Sequence, residues 1–418
     1  MQSSTASTDE QIKKHRSAEA TLSVLGPDGK PLANQDVQIA QQNHKFLFGT
    51  TGSSVIALAN NESTGAAKEK AQRHAQHLVE LFNFVTLPFY WGRFEPTRGK
   101  PDTQRIKNAA RWFVDRGCVV KGHPLCWHTV CADWLMPMPI EEMIETQRQR
   151  IVREVRDFAG LIDMWDVINE VVIMPIFDKY DNAVTRIALK LGRIGTIRMT
   201  FDAARSAAPG AILLLNDFDM SAAYECLIDG VLEAGIKIDA LGLQSHMHQG
   251  WWGIEKTLDV LKRFGKYKLP MHFTETTLVS GQIMPAHIMD LNDYKVDEWP
   301  TTPDGEHRQA DELVQHYKLL IAHPQVEAIT WWGLEDGGWL KAPSGLLRID
   351  QSPKPAYNAL HDLVKRDWWM PATKLTTDGS GRVRFNGFLG EYTLNAAGKT
   401  TSFALHQAGT AKLEAKLS

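Results

Sequence analysis

From Ala18 onward apolar and polar positions alternate, with Ala20, Leu22 and Val24 on one face, a Gly26-Pro27-Asp28-Gly29 turn, and then Val37 and Ile39. That period of two around a turn predicts a hairpin. Residues 369–418 have the same texture. A Thr377-Asp378-Gly379-Ser380-Gly381 turn precedes Val383, Phe385 and Phe388, and short strands follow around Tyr392, Phe403 and Leu413. Neither end holds enough strands to bury a face alone. Residues 18–44 and 369–418 are therefore expected to combine into one small β-sandwich beside a central domain. Residues 1–17 are polar and read as disordered.

Between the two ends, short apolar runs alternate with stretches of helical spacing. Strands are expected at 46–49, 84–86, 119–123, 163–169, 211–216, 240–244, 270–274 and 328–332. Helices are expected at 64–82, 104–116, 140–158, in the later part of 170–208, and at 220–234, 254–265, 307–322 and 356–365. Alternation of this kind predicts an α/β fold, a (β/α)8 TIM barrel over residues 45–368. A doubly wound open sheet is the rival, but no Gly-rich phosphate loop follows any early strand.

Composition narrows the function more than the fold. At 418 residues the chain exceeds one ordinary core, in keeping with a large domain plus a small one. A net charge of −3 makes no case for nucleic acid or an anionic membrane as partner. No apolar run approaches the roughly 20 residues of a membrane span. The polar first twenty residues carry no signal-peptide core, so the expected location is secreted or periplasmic if a leader has been removed, and cytoplasmic otherwise. Cys118, Cys126, Cys131 and Cys226 show no zinc spacing and are expected as buried thiols, with a Cys118–Cys126 or Cys126–Cys131 bridge as the alternative. The tryptophans Trp251, Trp252, Trp332 and Trp339 stand in polar or Gly-rich contexts, where flat amphipathic rings make stacking surfaces.

The chemistry gathers where the strands end. The run Trp165-Asp166-Val167-Ile168 finishes on Asn169-Glu170, and Met271-His272-Phe273-Thr274 finishes on Glu275. A buried unpaired carboxylate is costly, so two such endings point to a carboxylate pair facing one cleft. The other strand ends carry His123 with Trp127-His128, Asn216-Asp217, Gln244 with His246, and Trp332 with Glu335-Asp336. In a barrel these ends form the active face. Amides and imidazoles hold hydroxyls, indoles stack on sugar rings, and two carboxylates cleave a glycosidic bond. The competitor is a metal-dependent hydrolase using His123, His128, His246, His248 and His272. His248 already lies in a Gln-Gly-Trp-Trp loop, however, so the expected metal and cofactor content is none.

The blocks Trp165–Glu170, Gly122–His128, Gly242–His246, Thr274-Glu275, Trp332–Asp336 and Ser352–Tyr357 resemble, in order and spacing, the signature blocks of glycoside hydrolase family ten. The resemblance covers residues 46–366 and implies a barrel acting with retention on β-linked glycans, most often β-1,4-xylan. It implies Glu170 as acid/base and Glu275 as nucleophile. Asn169 matches the residue bonding the sugar 2-hydroxyl, His123 and Trp127 match residues around that sugar, Gln244 and His246 match neighbours of the nucleophile, and Trp332 and Trp339 match aromatic walls. Two departures stand out. The family's Asn and Lys after the second barrel strand are absent, the run Leu87–Phe94 is two residues shorter, and Tyr90, Trp91 or Arg93 is expected to replace them. The Asp that the family places two residues after its nucleophile is Thr277 here.

These readings converge on a retaining β-glycoside hydrolase, endo-acting on β-1,4-xylan or a related β-glycan. A non-xylan glycan, a decorated oligosaccharide or an aglycone glycoside is the alternative substrate, and an inactive carbohydrate-binding barrel is the alternative of another class. The sandwich strands show no row of exposed Trp, which favours a structural role for that unit.

Overall fold

The computed structural model describes residues 7–417. In chain order the strands are β1 (Ser17–Leu25), β2 (Asp36–His44), β3 (Leu47–Thr51), β4 (Phe84–Pro88), β5 (Val119–His123), β6 (Met164–Asn169), β7 (Ile212–Asp217) and β8 (Ala240–Leu243). They continue as β9 (His246–Met247), β10 (Met271–Leu278), β11 (Val326–Trp331), β12 (Thr373–Thr376), β13 (Arg382–Phe388), β14 (Gly390–Ala396), β15 (Lys399–Leu405) and β16 (Gly409–Lys416). Strands β3 to β8, β10 and β11 pair in parallel in that order, and β11 returns to β3 through Ala328–Leu47 to Trp331–Thr50, closing the barrel. The eight expected barrel strands are these eight.

Parallel strands covered on both faces need continuous apolar sequence. Strands β6 and β10 accordingly expose no residue. The covering helices follow a 3.6 period: Thr103–Val114 buries Ile106, Ala109, Ala110 and Phe113 against the strands. Inside the barrel the period of two sets layers. Phe84, Met164, Leu214, Ala240 and Ala328 form an apolar floor. Two residues further along their strands come Asp166 and Asn216, so the interior turns polar toward the strand C-termini, where the site is built.

Beside the barrel, β13-β1-β16 and β12-β2-β14-β15 face each other as two sheets around Ala20, Leu22, Val24, Ile39, Val383, Tyr392 and Leu394. Both termini thus contribute to one sandwich. The expected β1–β2 hairpin does not form. β1 lies between β13 and β16, while β2 lies in the opposite sheet between β12 and β14. The expected disorder of residues 1–17 is also overturned within the described residues. Thr8–Arg16 is a helix with a capping box, Ser7 Oγ accepting from Glu10 N–H and Glu10 from Ser7 N–H. Residues 1–6 lie outside the described residues. Cys118, Cys126, Cys131 and Cys226 are all free thiols, but only Cys118 and Cys126 are buried, while Cys131 is half-buried and Cys226 exposed. Among the described residues no helix is long and apolar enough to cross a membrane.

Candidate active site

Glu170 follows β6 with φ 57°, in the left-handed region that side chains other than glycine seldom adopt. Its N–H donates to Asn216 O (2.9 Å), and its C=O accepts from Met174 N–H (3.2 Å), so the turn is held from both sides. The carboxyl receives Trp127 Nε1–H at 2.7 Å and Gln244 Nε2–H at 3.1 Å. Glu275, within β10, receives Asn216 Nδ2–H at 3.1 Å on Oε1, and His246 Nε2 lies 3.0 Å from Oε2.

The two carboxyls belong to one network. Gln244 Nε2 bonds Glu170 and also Asn169 Oδ1 (3.0 Å), and Asn216 Nδ2 bonds Asn169 Oδ1 (2.7 Å) and Glu275. With Asn169 Oδ1 taken by two donors, its Nδ2 is the end left for a ligand. Thr274 Oγ1 donates to Asn216 Oδ1 (2.7 Å) and fixes which way that amide points. Gly242 makes room for it, since a Cβ there would lie 2.2 Å from Asn216 Oδ1.

The environments of the two carboxyls are opposed. Burial drives Glu170 up and the negative charge of Glu275 adds to it, pushing it to about 8 despite the bonds from Trp127 and Gln244. Burial also acts on Glu275, but the hydrogen bond from His246 and the charges of His123 and His246 outweigh it and hold Glu275 below the ordinary Glu range. Below them lies Asp166. Burial acts to raise it, but Lys121 Nζ at 2.6 Å and His123 Nδ1 at 2.7 Å hold it below its ordinary value. Asp166 also anchors the His123 ring, whose Nε2 lies 3.9 Å from Glu275 Oε1.

Aromatic rings line the cleft. Trp332 stands edge-on to His123 (centroids 5.3 Å apart), Trp339 packs on His246 (4.6 Å), and Tyr90 meets both His123 (5.7 Å) and Trp127 (5.5 Å). Lys179, in the loop after Glu170, bonds Asp290 and Asp293 (2.7 Å each) in the loop after Glu275, and Trp339 Nε1 donates to Asn292 of that loop (3.1 Å).

The structure brings together Glu170, Glu275, Asn169, His123, Trp127, Gln244, His246, Trp332, Trp339 and Tyr90, with Arg93 beside Tyr90 at 5.8 Å from its ring centroid. Trp91 is a correction. It is buried away from the cleft, its indole bonding Glu95 (3.2 Å) and meeting Trp134 edge-on under the Arg150 guanidinium. Glu335 and Asp336 also turn from the site, to Lys70 and to Lys354, respectively (2.6 Å each). Thr277 does not reach His246. Its hydroxyl accepts from Met247 N–H (3.0 Å) and lies 3.2 Å from His248 Nδ1, leaving His246 Nδ1 without a hydrogen-bond partner among the described residues. Burial holds three histidines of the metal reading down, His248 and His272 at about 3 and His128 at about 4. Among the described residues no three His, Cys, Asp or Glu side chains are grouped as metal ligands. The sequence placed Asn216 among the polar strand ends, but not as the amide that links Asn169 to Glu275. Lys121 was hidden inside the apolar texture of β5.

A closed parallel barrel whose strand ends hold an opposed carboxyl pair among amides, imidazoles and indoles defines a carbohydrate-active barrel. The chain belongs to Glycosyl hydrolase family 10, whose profile matches residues 45–363. It is 26% identical over 304 residues to an endo-1,4-beta-xylanase/feruloyl esterase of Xylanibacter ruminicola, covering 65% of this chain and 40% of that protein. It is 24% identical over 316 residues to endo-1,4-beta-xylanase B of Thermotoga neapolitana, covering 71% of this chain and 84% of that one. The chain thus spans less than half the length of the Xylanibacter relative. Xylanase 10B of Thermotoga petrophila, solved with xylobiose, shares the fold with a TM-score of 0.62 at 21% identity over 77% of this chain and 95% of that one.

Proposed function

We propose that this chain hydrolyses β-glycosidic bonds with net retention, acting within β-1,4-xylan or a related β-glycan. The carrying observation is the opposed pair: a carboxyl pushed to about 8 at Glu170 and one held below the ordinary range at Glu275, joined by one amide network. Such a split assigns an acid and a nucleophile. Glu275 attacks the anomeric carbon while Glu170 gives its proton to the departing glycosidic oxygen, so the C–O bond breaks and a glycosyl ester forms on Glu275. Glu170, now a carboxylate, takes a proton from water, and that water's oxygen displaces Glu275 from the anomeric carbon. The Asn169 amide is placed to hold the neighbouring sugar hydroxyl, and Trp332 and Trp339 to stack on the sugar rings.

The relatives named as endo-1,4-beta-xylanases, and the xylobiose in the Thermotoga petrophila structure, support xylan as the glycan. The rebuilt wall at Tyr90 and Arg93 favours a decorated or non-xylan β-glycan as the second reading. Product analysis on soluble xylan, xylo-oligosaccharides, mixed-linkage glucan, galactan and mannan separates them, with Glu275→Ala as the blank. Xylo-oligosaccharide products from the wild type alone are expected. Cleavage of other glycans with silence on xylan would shift the substrate to the second reading, and full turnover by Glu275→Ala would overturn the mechanism.

A further inference from the structure

The shortened segment after β4 folds as a single helical turn, Trp91–Phe94, with Arg93 N–H and Phe94 N–H both bonded to Tyr90 O (2.9 and 2.8 Å). Trp91 and Phe94 anchor the turn in the core, while Tyr90 and Arg93, three residues apart, share the opposite face. That face, with the edge of Phe94, forms one wall of a cavity of about 220 Å³, which also meets Thr51, Ser53, Arg105 with its partner Asp102, His123 and Trp332. Since His123 and Trp332 border the reacting carboxyls as well, the cavity continues directly from the site.

The two cations in its wall differ. Arg105 is saturated, bonding Glu62 through Nε and Nη2 (2.7 and 2.8 Å) and Asp102 through Nη1 (3.3 Å). Arg93 is exposed, rests against the Tyr90 ring, and has no carboxylate partner among the described residues. A neutral sugar needs hydroxyl acceptors and donors, which short amides supply at less entropic cost than a long cation. A planar guanidinium held over an aromatic ring suits a carboxylate, which it can bind through two parallel N–H donors.

We propose that this cavity receives a carboxylate-bearing sugar, a uronosyl unit on the glycone side of the scissile bond, and that Arg93 is the residue that selects it. The inference rests on the glycosidase reading above and names its substrate class. Arg93 contacts neither reacting carboxyl, so its effect falls on the choice between substrates. The test compares kcat/KM for a neutral xylo-oligosaccharide, the same oligosaccharide bearing a glucuronosyl group on its glycone side, and a sulfate ester at that position, for wild type, Arg93→Gln and Arg93→Lys.

The wild type should prefer the glucuronosyl substrate over the neutral one by on the order of tenfold, the scale of a hydrogen bond to a charged group. The preference should shrink as salt rises, vanish in Arg93→Gln, and survive only in part in Arg93→Lys, which keeps the charge but not the fork. A wild-type ratio at or below one, a ratio unchanged in Arg93→Gln, or a stronger preference for the sulfate ester would overturn the proposal while leaving the glycosidase reading intact. Failure to cleave any β-glycan in the panel would overturn that reading first, and this inference with it.

Discussion

At the residue scale the proposed chemistry reduces to two glutamates of the same kind held in opposite states. Both carboxyls meet hydrogen-bond partners on both oxygens, so their distinction comes from charge: Glu275 faces His123 and His246, whereas Glu170 is buried beside the Glu275 charge. Removing that charge should therefore let Glu170 fall. In Glu275→Gln the Glu170 carboxyl should titrate clearly below its wild-type value of about 8, read by carbon NMR of labelled glutamate. The sign follows from the coupling, since a neutral neighbour no longer opposes ionisation. The same change is what the glycosyl ester on Glu275 would bring about, converting an acid into a base between the two steps. In wild type the alkaline limb of kcat/KM should fall near pH 8, because the free enzyme needs Glu170 protonated. An unmoved Glu170 in the variant would mean that the Glu275 charge does not set its state.

At the element scale, what was legible was periodicity and what was hidden was partnership. The apolar runs ending at Asn169 and Thr274 read correctly as barrel strands because burial on both faces leaves a local signature. Alternation at Ala20–Val24 and Val37–Ile39 read correctly as strands and wrongly as a hairpin. A period of two says which face is buried but not which strand lies alongside, and the true partners are more than 300 residues away in sequence. Trp91 misled for a related reason: it was expected with Tyr90 and Arg93 to replace the family's missing Asn and Lys, and only the fold shows it turned away from the cleft beneath Arg150. The first helix, Thr8–Arg16, offered a capping box but only one buried apolar residue, Ile12. Its anchor is Arg16, whose guanidinium donates to Ile321 O (2.9 Å), His323 O and Val326 O (2.6 Å each), at and just beyond the C-terminal end of Pro303–Ala322. Cations stabilise helix C-termini, and charged donors there satisfy carbonyls the helix cannot. Arg16→Ala should cost about 2 kcal/mol in chemical denaturation, the scale of charge-assisted hydrogen bonds. A loss below a few tenths would show that the helix merely rests on the barrel.

At the scale of the whole molecule, barrel closure brings the two glutamates together. Glu170 and Glu275 end up in one amide network because β6, β7, β8 and β10 are consecutive neighbours, which sets Asn169, Asn216, Gln244 and Glu275 side by side at the same ends. The sandwich lies outside this arrangement, but it joins residues from both termini around one apolar core. In the proposed mechanism this closure makes Glu275 the nucleophile of a double displacement. It is tested most directly by mass spectrometry of the protein after incubation with a 2-fluoro β-glycoside of xylobiose, a substrate that forms the glycosyl ester faster than it is hydrolysed. A mass gain of one 2-fluoroxylobiosyl group is expected on the peptide containing Glu275 in the wild type, and none in Glu275→Ala. An adduct on another residue, or hydrolysis of the parent β-glycoside to an α-anomer first, would contradict it.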